Sequence, residues 1–460
     1  MSKKEIIEYN STECFVTQRL AKKISDLLEN TFFTDLKGEQ KNLKVKAFYG
    51  ASAVSSKIMK AYNIDDLSIK ESEMSRQLKN IFEQAYYGGR AECLKIGTFR
   101  NVYKYDINSA YPSVMQNLIR ISHFTYNKKP NQDRLKDDGI YNISFNFSVP
   151  KNFIMPFPLR HKSGMIFFPK RVKGWYFGCE INSFLKNYIF QNEWVDFLLH
   201  IKEGFEPVYL QSIQEEISHN ENYIFGNCIE ELYEQRKVFK QSDDLRAYII
   251  KITLNAMYGK LAQRTGKHQF LNMYYAGYIT AKTRSIIYNT SMESYEDIIF
   301  FATDCLLSKK KLKNLDVGNE LGQWEEKKVN KAVVLMSGIY EIIYSEDSLI
   351  YGMRGFRIDN KIFKNILQDI RKKGTTDIIL SGFISHKLAL TQHKAYGNKR
   401  LQFTEIKKNI NPFNQIKREF NFKIKNIDNA YNSNYIDMEQ TESSLIKNCI
   451  YTENLEDRYE

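Results

Sequence analysis

The chain has 460 residues, 43% hydrophobic and 14% aromatic, which excludes a disordered or fibrous polypeptide and allows several subdomains around a sizeable core. Lysine and arginine outnumber aspartate and glutamate by 67 to 54, a net charge of +13 that favours a polyanionic partner, although a solvated lysine-rich surface from an AT-rich genome gives the same balance. The six cysteines form no CxxC pair, no apolar run is long enough for a membrane span, and the Met-Ser-Lys-Lys-Glu start lacks the apolar core of a secretory signal. This excludes a cysteine-spaced zinc site and a dense disulfide framework, and predicts a cytoplasmic protein that does not associate with membranes.

Taken in chain order, residues 12–29 read as a helix with apolar residues Phe15, Leu20, Ile24, Leu27 and Leu28, and residues 73–86 as another. Gly88-Gly89 then breaks the pattern. A β-prone run over 102–107 is followed by a helix after Pro112 with Val114, Met115 and Leu118 on one face. The stretch 121–225 is mixed: short β-like runs at 140–147 and 164–168 lie among prolines, and 175–187 is partly helical. Residues 227–263 have a helical pattern broken near 241–244, where Ser242 or Asp243 is the expected N-cap of a second helix. Residues 275–295 read as a helix, 298–303 as a short apolar strand and 332–343 as a second strand region. The last 75 residues are polar and basic, with helices expected and a poorly ordered acidic end.

Two aspartates stand where apolar strands are expected to emerge: Asp106 after Val-Tyr-Lys-Tyr, and Asp304 after Ile-Ile-Phe-Phe-Ala-Thr. Carboxylates at the ends of adjacent strands suit a pair of hard divalent cations about 3.5–4 Å apart, the arrangement that clamps attacking and leaving oxygens in phosphoryl transfer. Either aspartate alone reads as a cap of a strand or turn. On a helix, Lys251, Asn255 and Gly259 fall at i, i+4 and i+8 with Tyr258 beside them. That face offers a cation, an amide, and a ring beside a residue without a side chain. Arg236 and Lys240 repeat the i, i+4 spacing; in isolation such cations are a solvated helix face.

Three strings occur in order: Tyr105-Asp-Ile-Asn-Ser-Ala-Tyr-Pro-Ser113, Lys251-Ile-Thr-Leu-Asn-Ala-Met-Tyr-Gly259 and Phe300-Phe-Ala-Thr-Asp-Cys305. Together they resemble motifs A, B and C of the family B DNA polymerases. The resemblance implies an α+β right-hand fold, with an antiparallel-sheet palm, fingers and a thumb, and the activity of a DNA-directed DNA polymerase. It implies Asp106, Asp304 and the backbone carbonyl of Ile107 as holders of two Mg²⁺ ions, with Mn²⁺ as a substitute. Ser109, Ala110, Tyr111, Arg236, Lys240, Lys251, Asn255 and Tyr258 would form the nucleotide site. Within it, Tyr111 resembles the gate that closes over the sugar and excludes a 2′-hydroxyl. Tyr86-Tyr87-Gly88-Gly89 resembles the family's YxGG segment. With Arg90 as an added phosphate contact, and with Gly259, Thr303 and Tyr340, it would lie against DNA. The implied partners are a DNA primer-template and dNTPs.

The protein-primed branch of linear plasmids and small viruses looks closest. Pro156-Phe-Pro-Leu-Arg160, Gly174-Trp-Tyr176 and Glu180 resemble the region that holds a terminal (priming) protein, and Arg354-Gly-Phe356 that branch's passage from palm to thumb. The expected division is 1–75 as the end of an exonuclease domain with a linker, 76–120 as the first part of the palm, and 121–225 as the terminal-protein-binding insertion. The fingers follow at 226–262, the second part of the palm at 263–384, and a basic, helical thumb with a tail at 385–460. Three departures from the family's pattern stand out: Ala302 where motif C has its first aspartate, Gly338 where a later Lys-x-Tyr motif has its lysine, and no exonuclease motif ahead of Tyr9-Asn-Ser-Thr-Glu13. Proofreading would be lost, encoded outside this sequence, or carried by a separate exonuclease subunit, and the segment around Glu13 also reads as a plain surface helix. The implied function is replication of a viral or plasmid genome in a host cytoplasm with protein priming. The alternatives are a catalytically impaired polymerase-like subunit that grips DNA or the priming protein, and a stand-alone nuclease.

Overall fold

A computed structural model describes residues 3–29, 32–34, 40–42, 51–64, 67, 73–148, 153–161, 164–190, 196–210, 223–263, 269–353, 359–383, 403–415, 417–420 and 426–435. Helix α1 (Lys3–Glu29) precedes a small hairpin of β1 (Phe32–Thr34) and β2 (Gln40–Asn42). Helix α2 (Ala51–Ala61) buries Val54, Ile58 and Met59 on one face, and α3 (Glu73–Ala85) ends just before the Gly88-Gly89 break. Strands β3 (Arg90–Cys93) and β4 (Lys95–Ile107) lead into α4 (Ala110–Gln116). That helix begins two residues before Pro112, which sits in its first turn, where the missing N–H costs nothing.

The next region contains β5 (Ile121–Asn127), β6 (Ile140–Ser148), the short β7 (Leu159–Arg160) and β8 (Ile166–Phe167), β9 (Arg171–Phe177), α5 (Gly178–Phe190) and β10 (Asp196–Tyr209). Four of its strands form an antiparallel sheet in the order β5-β10-β6-β9. An antiparallel helical pair follows, α6 (Gly226–Gln241) and α7 (Leu245–Leu261), then α8 (Met273–Met292), which is buried on nearly every side. The break between α6 and α7 falls as expected, but the cap does not. Ser242 closes α6, Asp243 takes a left-handed conformation (φ 51°), and Asp244 caps α7 by accepting the Arg246 N–H at 2.8 Å.

The remaining elements are β11 (Ile298–Thr303), β12 (Cys305–Ser308), β13 (Trp324–Met336), β14 (Ile339–Ile343), β15 (Leu349–Met353), α9 (Asn360–Lys373), β16 (Thr376–Phe383), β17 (Phe403–Ile410), β18 (Arg418–Phe420) and β19 (Tyr431–Tyr435). The strand region expected at 332–343 is thus the end of β13 and all of β14, reversed at Gly338 (φ 77°), where a residue without Cβ is favoured. Helices were expected after residue 385. Where the chain is described there it forms strands instead: β17 pairs antiparallel with β16 from Phe383 opposite Phe403 to Thr376 opposite Ile410, so the pairing across the hairpin decides its structure although Phe403, Ile406 and Ile410 fall at a helix-like spacing. The segment 354–356 and the acidic end lie outside the described residues.

The large antiparallel sheet runs β15-β14-β13-β4-β12-β11-β3, with β19 added to the start of β4 and β18 to β19. Helices α2, α3, α6, α7 and α8 share one apolar core, a second lies between β4 and the region around β6 and α5, and a third lies between the sheet and α9. Period-two alternation splits β4 between the last two. Tyr105 and Ile107 enter the second core and Val102 the third, which puts Lys104 and Asp106 on the Val102 face.

The end of the chain is tied to this sheet by buried charge. The Glu92 carboxylate accepts from Arg90 at 2.6 and 3.0 Å and from Arg418 at 2.6 Å. Burial acts to raise the Glu92 carboxyl, but the two guanidiniums hold it below its ordinary value. Removing the charge from one member of such a group leaves buried ions uncompensated. Glu92→Gln should therefore destabilise the protein by about 3–5 kcal/mol, measured by urea unfolding at pH 7. A change below 1 kcal/mol would show that the triad does not hold the sheet.

Candidate active site

The two aspartates expected to act together are brought together by strand register. Strand β12 pairs with β4 so that Cys305 lies opposite Asp106, and β11 returns to β12 through Thr303-Asp304. The Ile107 N–H donates to the Asp304 carbonyl at 3.0 Å, and the Asp304 N–H donates to the Ala302 carbonyl at 2.9 Å. Thr303 closes this reversal at φ 67°, an uncommon conformation for a β-branched residue. Ala302 lies before the turn, opposite Cys305, so the retained Asp304 is the carboxylate at the tip.

Asp106 is 35% exposed, and its Oδ2 pairs with the Lys104 ammonium. The Asp304 carboxyl is pushed up to about 6, first by burial and then by the negative charge of Asp106, against the opposing pull of Lys104 and Lys251. Two neighbouring carboxylates, one of them held up by burial and by the other's charge, suit a divalent cation, and the Ile107 backbone follows Asp106 at the strand end. Among the described residues no group of three or more histidine, cysteine or acidic side chains is present, so these donors carry the fit.

The Tyr86–Gly89 segment packs directly on this turn. A Cβ on Gly89 would stand 2.6 Å from Thr303 Cγ2 and 2.9 Å from Tyr111 Oη, whereas one on Gly88 would meet only Ile166 at 3.8 Å. The Tyr86 and Tyr258 hydroxyls are 3.0 Å apart, and the Tyr111 and Tyr258 rings lie 4.4 Å apart at 43°. Burial, the largest influence, pushes the Tyr111 phenol up to about 12. Arg90 corrects an expectation. It is 1% exposed, its guanidinium binds Glu92 and the Met155 carbonyl, and it stacks on Phe168 and Phe301 at 4.0 and 4.5 Å. Its position in β3 next to β11 turns it inward, so it holds the sheet and cannot reach a phosphate.

The helical pair supplies the cations. Arg236 donates to Ser109 Oγ at 3.0 Å, linking α6 to the start of α4, where Ser109 has φ 50° and Ala110 is buried. Lys251, Asn255 and Gly259 are exposed on one face of α7, and a Cβ on Gly259 would meet open space. Lys240 is exposed on α6, and its charge reaches Glu325. Tyr340 does not stand free: it stacks on Phe300 at 4.8 Å and 17°, beside Lys104 and Asp106 in electrostatic terms.

Sequence reasoning missed two features. Lys104 could have been found, because it is two residues before Asp106 on a strand and so shares its face. The buried Arg284–Glu180 pair (2.9 Å) could not, since no local pattern links α8 to α5. Arg284 also donates to the Tyr87 and Gly88 carbonyls at 2.7 Å, which fixes the Gly-Gly strap over the turn.

The raised Asp304 carboxyl has a stability consequence. Its folded value of about 6 lies above the ordinary 3.8, so its contribution is full below about pH 4 and is lost as pH rises through 6. In EDTA at pH 7.5, Asp304→Asn should be more stable than the wild type, on the order of 1–2 kcal/mol, with the two converging at pH 4. Melting curves at both pH values check this, and equal stability at pH 7.5 would refute it.

Comparison with known proteins matches residues 2–323 to the family model described as DNA polymerase type B, organellar and viral. A DNA polymerase of Acidianus bottle-shaped virus (isolate Italy/Pozzuoli) is 26% identical over 373 residues, covering 79% of this chain and 52% of that protein, so the chain spans about half the length of this relative. Phi29 DNA polymerase complexed with primer-template DNA and incoming nucleotide substrates superposes with a TM-score of 0.56 at 14% identity, over 79% of this chain and 68% of that one. The orthorhombic crystal form of Phi29 DNA polymerase gives 0.53 at 15% identity, over 71% and 65%. These likenesses show the α+β right-hand polymerase fold, and the matched family model, which covers more than half of the sequence, shows that the chain belongs to the organellar and viral type B DNA polymerases.

Proposed function

We propose that the chain is a template-directed DNA polymerase that adds deoxynucleotides to a primer 3′-hydroxyl by two-metal catalysis. The observation that carries this reading is the meeting of Asp106 and Asp304 at the end of β4, faced by Arg236 and Lys251 from the helical pair. The large sheet acts as the palm, with residues 76–120 and 263–384, and α6 and α7 act as the fingers over 226–262. Residues 1–75 correspond to the end of an exonuclease domain and its linker, and 385–460 to the thumb region and tail, although β19 of that last segment joins the palm sheet itself.

Asp106, Asp304 and the Ile107 carbonyl hold the metals. Bound there, Mg²⁺ or Mn²⁺ would lower the pKa of the primer hydroxyl and stabilise the leaving pyrophosphate. Arg236, Lys240 and Lys251 neutralise the triphosphate as charge shifts onto it. Asn255, Tyr258 and Gly259 line the nascent base pair, and Tyr86, Gly88, Thr303 and Tyr340 border the DNA. Tyr111, braced by Tyr258 and by the close approach of Gly89, excludes a 2′-hydroxyl.

Priming by a terminal protein rests on the four-stranded sheet of 121–225, which shares the second apolar core with β4 and exposes Tyr126, Leu198 and Tyr209. The setting is replication of a viral or plasmid genome in a host cytoplasm, with proofreading lost, encoded outside this sequence, or carried by a separate exonuclease subunit. No helix among the described residues is long and apolar enough to cross a membrane. A second reading, a binding subunit without synthesis, is motivated by Ala302 and Gly338.

Primer extension on a short primed template separates the readings. Extension in Mg²⁺ or Mn²⁺ that vanishes in Asp304→Asn supports the polymerase, and DNA binding without extension in either metal favours the binding subunit. Tyr111→Val should raise ribonucleotide incorporation relative to deoxynucleotide by at least about tenfold, read as a ratio of kcat/KM values; each tenfold corresponds to roughly 1.4 kcal/mol of discrimination. An unchanged ratio would remove Tyr111 from the gate role.

A further inference from the structure

Lys104 is the charged side chain closest to the catalytic carboxylates that the reaction described above leaves without a task. It is only 13% exposed, and its ammonium meets Asp106 Oδ2. On β4 it shares a face with Val102 and Asp106, so it stands one strand repeat, about 6.5 Å, behind Asp106. Two of the three triphosphate cations lie on the other side: Arg236 binds Ser109, three residues beyond Asp106, and Lys251 approaches Asp304, while Lys240 reaches Glu325 opposite Asp106. Asp106 therefore divides the open face of the sheet into a nucleotide side and a side marked by Lys104.

Two tyrosines, Tyr340 in β14 and Tyr344 just after it, accompany Lys104. Tyr340 is held by its stack on Phe300, and both its hydroxyl and that of Tyr344 lie within the electrostatic reach of Lys104. The Tyr344 hydroxyl is buried and has no hydrogen-bond partner. The other titratable groups nearby are Glu325, which pairs with Lys327 at 2.8 Å, the Cys305 thiol, Asp304, and Asp106 itself. A partly buried ammonium and an unpartnered hydroxyl beside a carboxylate suit a tetrahedral anion that brings several acceptor oxygens.

We propose that Lys104, with the Tyr344 hydroxyl, holds the phosphate of the primer strand's 3′-terminal nucleotide. The proposal rests on the polymerase reading and deepens it. In it Lys104 is a positioning residue: its cation sets the terminal nucleotide on the far side of Asp106 from the triphosphate. The lysine comes from β4, two residues ahead of the catalytic aspartate, and not from the Gly338 position at the β13–β14 turn.

The test is equilibrium binding, by fluorescence anisotropy, of a primed template ending in a dideoxynucleotide, in Mg²⁺ over a salt series, with single-stranded DNA alongside. Lys104→Met should weaken primed-template binding by about tenfold and reduce the slope of log K against log salt by about one, with single-strand binding unchanged. Lys104→Arg should restore most of the affinity. Tyr344→Phe, which leaves the Lys104–Asp106 pair intact, should weaken the same binding by about threefold. Primed-template affinity and salt slope equal to wild type in Lys104→Met would overturn the proposal while leaving the polymerase reading standing. Wild-type protein that binds primed template no better than single strands would overturn both.

Discussion

The register in which β4 pairs with β12 is the constraint on which the candidate site depends. Cys305 opposite Asp106 puts the reversal at Thr303-Asp304 level with the end of β4, and the Ile107 N–H closes the gap onto the Asp304 carbonyl. Strand side chains alternate with a period of two, so a slip of one residue would send Asp106 into the second core and Tyr105 onto the open face. Neither group tolerates the exchange: a lone buried carboxylate is costly, and Tyr105 is fully buried with its hydroxyl accepting the Leu312 N–H. The apolar alternation of β4 thus sets the position of a charged group that contributes nothing to the core.

A second layer stabilises that turn from outside. Thr303 holds an uncommon backbone conformation, and Gly89 is close enough to block its movement. Gly89 is held in turn by the carbonyls of Tyr87 and Gly88, both bound to the buried Arg284. The chain of contacts runs from α8 through the Gly-Gly strap to the motif C turn and the ring of Tyr111. A segment that resembles the family's YxGG segment in sequence is also a mechanical brace for the turn that carries Asp304. The requirement for glycine at position 89 follows from packing alone.

Much of this was legible in the sequence because it is local. The spacing of Lys251, Asn255 and Gly259 predicts their shared helix face, and that face is open. The apolar run before Asp304 predicts β11 to the residue. What could not be read depends on contacts between distant segments. Arg90 beside a Gly-Gly pair reads as a free cation, and only the arrival of Glu92, Phe168, Phe301 and the Met155 carbonyl makes it a core residue. The polar, lysine-rich C-terminal region reads as helical. Its apolar residues Ile410, Phe413, Phe420 and Ile427 instead complete the third core from short strands and turns, too few and too widely spaced for a helical stripe to reveal.

The attachment of β19 to the start of β4 has a consequence for how the molecule is made. Lys95 meets Asn432 across 337 residues of chain, and Arg418 reaches Glu92 across 326. Contacts of such sequence separation form late, because the closure entropy of the intervening loop must be overcome before they return anything. On the ribosome, the strand carrying Asp106 therefore waits with an unpaired flank until Tyr431 and Asn432 have emerged. A nascent molecule in this state exposes a sheet edge open to pairing with another chain, and its Glu92 lacks the Arg418 guanidinium, so the unfinished fold is the form most prone to aggregate.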